Sequence, residues 1–87
     1  MTYQVEFTAG ALRDLQALPP SVAWAVVAFC DGPLTGQPRR VGKALRWQFE
    51  GLYSARRGGY RIIYRIVEDR VVVEVVRIRH RRSVYRD

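Results

Sequence analysis

The stretch YRIIYRIVEDRVVVEVVRIRH, residues 60–80, decides the fold. Two runs rich in β-branched and aromatic residues, YRIIYRIV (60–67) and VVVEVVRIR (71–79), flank the acidic pair Glu68-Asp69. Such runs around a short polar connection predict a β-hairpin, although Glu-Asp is not the favoured Asn-Gly type. With a two-residue loop at 68–69, Val67 faces Arg70. Ile62, Tyr64 and Ile66 then share one face with Val71, Val73 and Val75. The other face carries Arg61, Arg65 and Glu74 above Ile63, Val67, Val72 and Val76. One face is core; the other is a basic surface with an apolar floor. A loop one residue longer puts Arg77 and Arg79 on the face of Arg61, so the side those two take stays open at this level.

Outward from the hairpin, ALRWQFE (44–50) and LYSARR (52–57) also read as strands, bounded by Gly51 and by Gly58-Gly59. DGPLTGQPRRVGK (31–43) is a loop by its two prolines and three glycines. At the start, YQVEF (3–7) alternates like a strand. Thr8 offers an N-cap to GALRDLQAL, in which Ala11, Leu12, Leu15 and Leu18 fall on one helical face. Pro19-Pro20 ends that helix, and Pro20 suits the first turn of a second. There Val22, Val26 and Phe29 form a stripe, with Ala23, Val27 and Cys30 beside it. Trp24 reads as helix core, and Trp47 as core or a partner contact. The expectation is one α+β domain over residues 1–87, in the order β-α-α-β-β-β-β. A helical hairpin covers one face of an antiparallel sheet.

Charge divides the chain. Residues 1–38 hold one base, Arg13, against three acids; residues 39–87 hold fourteen bases against five acids, within a net charge of +7. Lys43 is the only lysine. Arginine's planar fork matches phosphate and keeps its charge when partly buried. So lopsided a field favours a polyanionic partner, nucleic acid or an acidic protein. Cys30 has no second cysteine to pair with, which suits a reducing compartment. The opening MTYQVEF lacks a signal-peptide pattern, and VAWAVVAFC is too short to span a bilayer. A cytoplasmic protein without membrane contact is expected.

One histidine, one cysteine and scattered carboxylates offer no metal-ligand spacing, and there is no phosphate-binding glycine loop. No metal and no cofactor are expected. Arginines, a lysine, tyrosines and a histidine remain. That set can stabilise a phosphorane electrostatically and move protons. RNA brings its own nucleophile, the 2′-OH, so a metal-free ribonuclease built from arginines is chemically coherent.

GKALRWQFEGLYSARRGGYRIIYRI and the ending RHRRSVY resemble the RelE/ParE superfamily of bacterial type II toxins, and its RelE branch most. The pattern is carried by Gly42, Lys43, Leu45, Leu52, Arg56, Gly58, Tyr60, Arg61, Tyr64, His80, Arg81 and Tyr85. Ala11, Asp14, Leu15 and Leu18 match at the start, so the likeness spans about residues 3–85. The resemblance implies a RelE-like fold and a toxin that cleaves mRNA in the ribosomal A site, by attack of the adjacent 2′-OH without metal. It implies a RelB-like antitoxin that silences the toxin, and operator DNA contacted through that antitoxin.

Residue by residue, the resemblance makes Arg61 the phosphate contact and Arg81 the group that stabilises the transition state near the leaving oxygen. Tyr85 stacks on a base or assists proton transfer, and His80 is a proton-transfer candidate beside Arg81. Lys43, Arg56, Arg57, Arg39, Arg40 and Arg82 are candidate contacts to RNA or ribosome. Plainer roles stand beside these. Arg61 pairs with Glu74 across strands, Tyr60 and Tyr64 are core, Tyr85 caps the core edge, and Arg39 and Arg40 are solvated charge. The pattern breaks at Ser54 and Leu52, where relatives often carry bases that help deprotonate the 2′-OH. Arg57, Lys43 and His80 are the available substitutes. Two other functions fit the same pattern: a ParE-like toxin directed at gyrase, and an impaired toxin kept as an antitoxin-binding corepressor.

Overall fold

The structure, a computed structural model, describes residues 2–80. Its elements are β1 (Gln4–Phe7), α1 (Ala9–Gln16), α2 (Pro20–Phe29), β2 (Lys43–Ala44), β3 (Tyr53–Arg57), β4 (Tyr60–Val67) and β5 (Val72–His80). They form one five-stranded sheet in the order β1-β5-β4-β3-β2, with both helices on one face. The α+β class and the strand–helix–helix–sheet order stand as expected. The sheet is mixed, however: β1 runs parallel to β5, while the other pairs are antiparallel. A parallel neighbour needs a long crossover, and everything between β1 and β5 supplies it.

Local chemistry sets the helix ends. Thr8 Oγ1 accepts from the Ala11 amide at 3.1 Å and donates to the Val76 carbonyl at 2.8 Å, so the α1 cap also ties the helix to β5. Pro20 opens α2, where its missing N–H leaves nothing unsatisfied. Past the expected end at residue 30, the chain continues helically through a wider turn, Cys30–Leu34, that contains Pro33 and buries Leu34.

The strand expected over 44–50 shrinks to Lys43–Ala44. Trp47 takes a left-handed φ of 61° and Gly51 one of 93°, and a tight helical turn at Trp47–Phe49 interrupts the strand. Only the Leu45 amide, bonded to the Leu52 carbonyl at 2.9 Å, carries the pairing further.

Ala11, Val26, Cys30, Leu34, Ala55, Ile62, Tyr64, Val73, Val75 and Ile78 form the core. Val22 and Phe29 pack against it as the α2 stripe requires. Trp24 lies opposite that stripe and is 76% exposed, so it is not helix core; Trp47 is 84% exposed and is not core either. Leu12 is exposed because α1, with only eight residues, rests on Ala11 and Leu15. Tyr64 is structural: it stacks on Tyr53 and donates to the Pro38 carbonyl at 2.5 Å. Burial pushes its hydroxyl up to about 12, and burial does the same to the Cys30 thiol, which is no nucleophile. Among the described residues no helix is long and apolar enough to cross a membrane.

The β4–β5 connection is four residues, Glu68 to Val71, with Val71 left-handed at φ 53°. Val67 therefore pairs with Val72, Ile66 with Val73 and Tyr64 with Val75. Two extra loop residues shift each partner by two, which preserves the expected core face. Val71 alone leaves it, for the turn. A bulge at Val76 then shifts the register by one, so Ile63 pairs with Arg77 and Arg61 with Arg79.

Candidate nucleic-acid interface

The bulge assembles the site. Antiparallel partners share a face, and Arg56 on β3 pairs with Arg61 on β4, which pairs with Arg79 on β5. Three arginines thus stand level across three strands, on the face away from the helices. The next row on this face is Lys43, Ser54, Ile63 and Arg77. The apolar floor exists as well: Ile63 is 8% exposed and Val72 3%, although neither faces the helices. Arginine stems cover such a floor while their heads stay in water.

Arg40, Val41, Gly42, Lys43, Ser54, Arg56 and Arg61 line an open cleft of about 380 Å³ at the β2–β3 side of this face. Of these seven described residues four are cations and none is an acid. Gly42 lets the loop press onto the sheet, since a Cβ there would lie 2.8 Å from the Ser54 carbonyl oxygen and would strike the Tyr64 hydroxyl. This close approach puts Arg40 and Lys43 in the same cleft as Arg61. Among the described residues no three His, Cys, Asp or Glu side chains come together as metal ligands, and the described lining of the cleft carries only positive charge. It can bind an oxyanion and neutralise charge that develops on it.

Arg61, Arg56, Lys43 and Arg40 are thus brought together as the sequence suggested. Three other candidates are not. Arg57 points to the helix side, where it lines a separate apolar pocket with Ser21, Val22, Ala25 and Tyr60. His80 pairs with Tyr60 on that same side, ring centroids 5.4 Å apart and edge to face. Arg39 forms an ion pair with Glu68, which also accepts from the Tyr3 hydroxyl at 3.1 Å, so its charge is spent on a tie between loop and hairpin turn. Glu74 faces and bonds Arg65 at 3.2 Å and does not serve Arg61. Arg81, Arg82 and Tyr85 lie outside the described residues.

Sequence reasoning left Arg79 undecided and gave Asp14 no role beyond the family pattern. Beyond β1, the free edge of β5 is held by α1. Asp14 accepts from the Ile78 amide at 2.8 Å and from Arg77 Nε at 2.9 Å. Burial opposes the Asp14 charge, but these bonds, with the charges of Arg77 and Arg79, outweigh it and hold the carboxyl below its ordinary value. Arg77 is drawn off the sheet face towards α1, while Arg79 stays opposite Arg61. An acid seven residues after a β1 strand, on the face of α1 that meets the sheet, was the legible signal.

Comparison with known proteins agrees with this geometry. A family model described as ParE toxin of type II toxin-antitoxin system, parDE, matches residues 5–85. The chain is 49% identical to Toxin RelG of Mycobacterium tuberculosis, over 99% of both proteins. It is 50% identical to Toxin RelE of the same organism, over 97% of this chain and 87% of that one. A chain in the crystal structure of the toxin–antitoxin complex RelBE2 from M. tuberculosis superposes with a TM-score of 0.90 at 48% identity, covering 93% of this chain and all of that one. One in the intact Escherichia coli RelBE toxin–antitoxin complex gives 0.74 at 25% identity, covering 90% and 95%. A match along nearly the whole chain, on both sequence and fold, means that this chain belongs to the ParE toxin family of the RelE/ParE superfamily and is a RelE-like toxin of a type II toxin–antitoxin system.

Proposed function

We propose that this toxin is a ribosome-dependent mRNA endonuclease acting in the A site without metal. The observation that supports it best is the level row of Arg56, Arg61 and Arg79 beside a cleft whose described lining holds four cations and no acid. In the reaction, the 2′-oxygen bonds to the adjacent phosphorus as the P–O5′ bond breaks. The 2′-OH proton passes to a base and another reaches the leaving 5′-oxygen, giving a 2′,3′-cyclic phosphate and a 5′-hydroxyl. Arg61 binds the scissile phosphate. Arg81 neutralises the phosphorane near the leaving oxygen, and Tyr85 stacks on a base or aids proton transfer. Lys43, Arg56 and Arg40 hold flanking backbone, and their field speeds encounter with a polyanion. In the cytoplasm a RelB-like antitoxin would silence the toxin and carry it to operator DNA.

The ParE description of the matching family model supports a second reading, a toxin that blocks gyrase and cuts no RNA. Primer extension on a message from induced cells separates the two. Arg61→Ala and Arg81→Ala should each abolish A-site cuts and growth arrest while the fold survives. Full cleavage by both variants refutes the site; growth arrest without cut message, with stalled gyrase, refutes the ribonuclease.

A further inference from the structure

Ser54 carries the only hydroxyl among the described residues that line the basic cleft. It lies on β3 between Lys43 of β2 and Ile63 of β4 and is 8% exposed. Its Oγ is shielded from water and has no hydrogen-bond partner among the described residues. A buried hydroxyl without a partner opposes folding, and alanine in its place would leave nothing unsatisfied. The backbone beside it is fixed, because Gly42 packs against the Ser54 carbonyl. A short, rigidly mounted hydroxyl therefore sits at the bottom of a cleft whose other polar heads ride on long stems.

A hydroxyl in that setting lacks an acceptor, and four cations select an oxyanion. The geometry points to Ser54 Oγ as a hydrogen-bond donor to a non-bridging oxygen of a phosphodiester seated in the cleft. This assignment rests on the RNA-directed reading above. Lys43, Arg56 and Arg61 gather the anion, and an anion that draws their heads onto itself uncovers Oγ. Ser54 then fixes where the phosphorus sits. Small errors of placement are costly when a 2′-oxygen must attack in line. Ser54 is a positioning residue and not a base: among the described residues no carboxylate or imidazole lines the cleft to take its proton. The position where relatives often carry a base here carries a donor.

The test titrates the full chain, its Ser54→Ala variant and its Arg61→Ala variant with inorganic phosphate and with a 2′-O-methyl RNA trinucleotide. Binding is followed by NMR at low ionic strength, with thermal unfolding alongside. Ser54→Ala should keep or raise Tm, since an unsatisfied group is gone, and should bind both ligands about tenfold more weakly. A purely structural serine would lower Tm and leave affinity unchanged, which overturns the assignment. Unchanged affinity in Ser54→Ala with loss in Arg61→Ala overturns Ser54 alone and leaves the cleft standing. Failure of the parent chain to bind either ligand overturns the RNA-directed cleft and the serine's part in it together.

Discussion

Replacing Arg56 by glutamine should make the protein more stable and less able to hold RNA. Arg56 stands directly across from Arg61, which stands across from Arg79, and like charges opposed in a sheet work against folding. Two such charges about 7 Å apart in water repel by roughly 0.6 kcal/mol before salt is added. At about 0.15 M salt, with a Debye length of about 8 Å, roughly 0.25 kcal/mol is left. Arg56→Gln should then gain about 0.5 kcal/mol at low salt, which in a domain of this size raises Tm by about 2–4 °C. The gain should fall by about half at physiological salt. Binding of a 2′-O-methyl RNA should move the other way. Each single-strand phosphate that a cation no longer neutralises lowers the slope of log affinity against log salt by about 0.7. Thermal unfolding at two salt concentrations and a salt series of RNA binding measure both effects. A Tm that drops at both salts makes Arg56 a structural residue. An unchanged salt slope removes it from the interface. Either result refutes an arginine row that trades stability for anion binding.

Asp14→Asn should loosen the end of β5 that carries Arg79. The Asp14 carboxyl is held below the 3.8 of an unfolded chain, so its stabilisation is complete above that value and is lost as pH falls through the lower folded value. The parent should therefore lose Tm below about pH 4 more steeply than the variant, with the two curves converging in acid. At neutral pH the variant should be weaker by about 1 kcal/mol, discounted because Arg77 is partly exposed. Faster hydrogen exchange at the Ile78 amide reads the same bond; parallel curves at all pH values would sink the assignment. Gly42→Ala should cost about 2 kcal/mol through overpacking, because the added methyl meets Tyr64 and the Ser54 carbonyl. Tyr64→Phe removes part of that obstruction, so the double variant should be less unstable than the two losses added together. Strict additivity in urea unfolding would mean that the loop moves aside.

Much of this was legible in the residues because burial imposes periodicity. Ile62, Tyr64 and Ile66 against Val73 and Val75 followed from alternation alone, and the wrong loop length did no harm because the error was an even number of residues. Thr8 and Pro20 announced their helix starts through chemistry confined to one turn. The failures have physical causes too. Trp24 sits in a helix apolar nearly all round, where composition gives no direction, and only packing against the sheet decides which side is wet. ALRWQFE has strand-like composition, but Trp47 adopts a backbone conformation that no propensity assigns to tryptophan. Arg57 and His80 looked equivalent to their neighbours Arg56 and Arg79. In a strand, adjacent residues face opposite ways, so a basic run is divided between the two faces.

That division turns on one residue. In an unbroken strand, Arg77 and Arg79 would continue the face of Val73 and Val75 and would drive two guanidinium groups under the helices. The bulge at Val76 reverses the alternation beyond it, which returns Ile78 to the core and sends Arg79 across to Arg61. The bulge leaves a carbonyl to satisfy, and Val76 O accepts from the Thr8 hydroxyl that also caps α1. One threonine therefore stops an orphaned acceptor at the bulge and an orphaned donor at the helix start. The energetic link runs from the cap through the bulge to the arginine row, so the site's geometry depends on contacts made on the far side of the sheet. It also explains why the motif residues of the hairpin do not define the site by themselves. Arg61 is fixed by its own strand, but what stands opposite it is decided by where β5 slips its register.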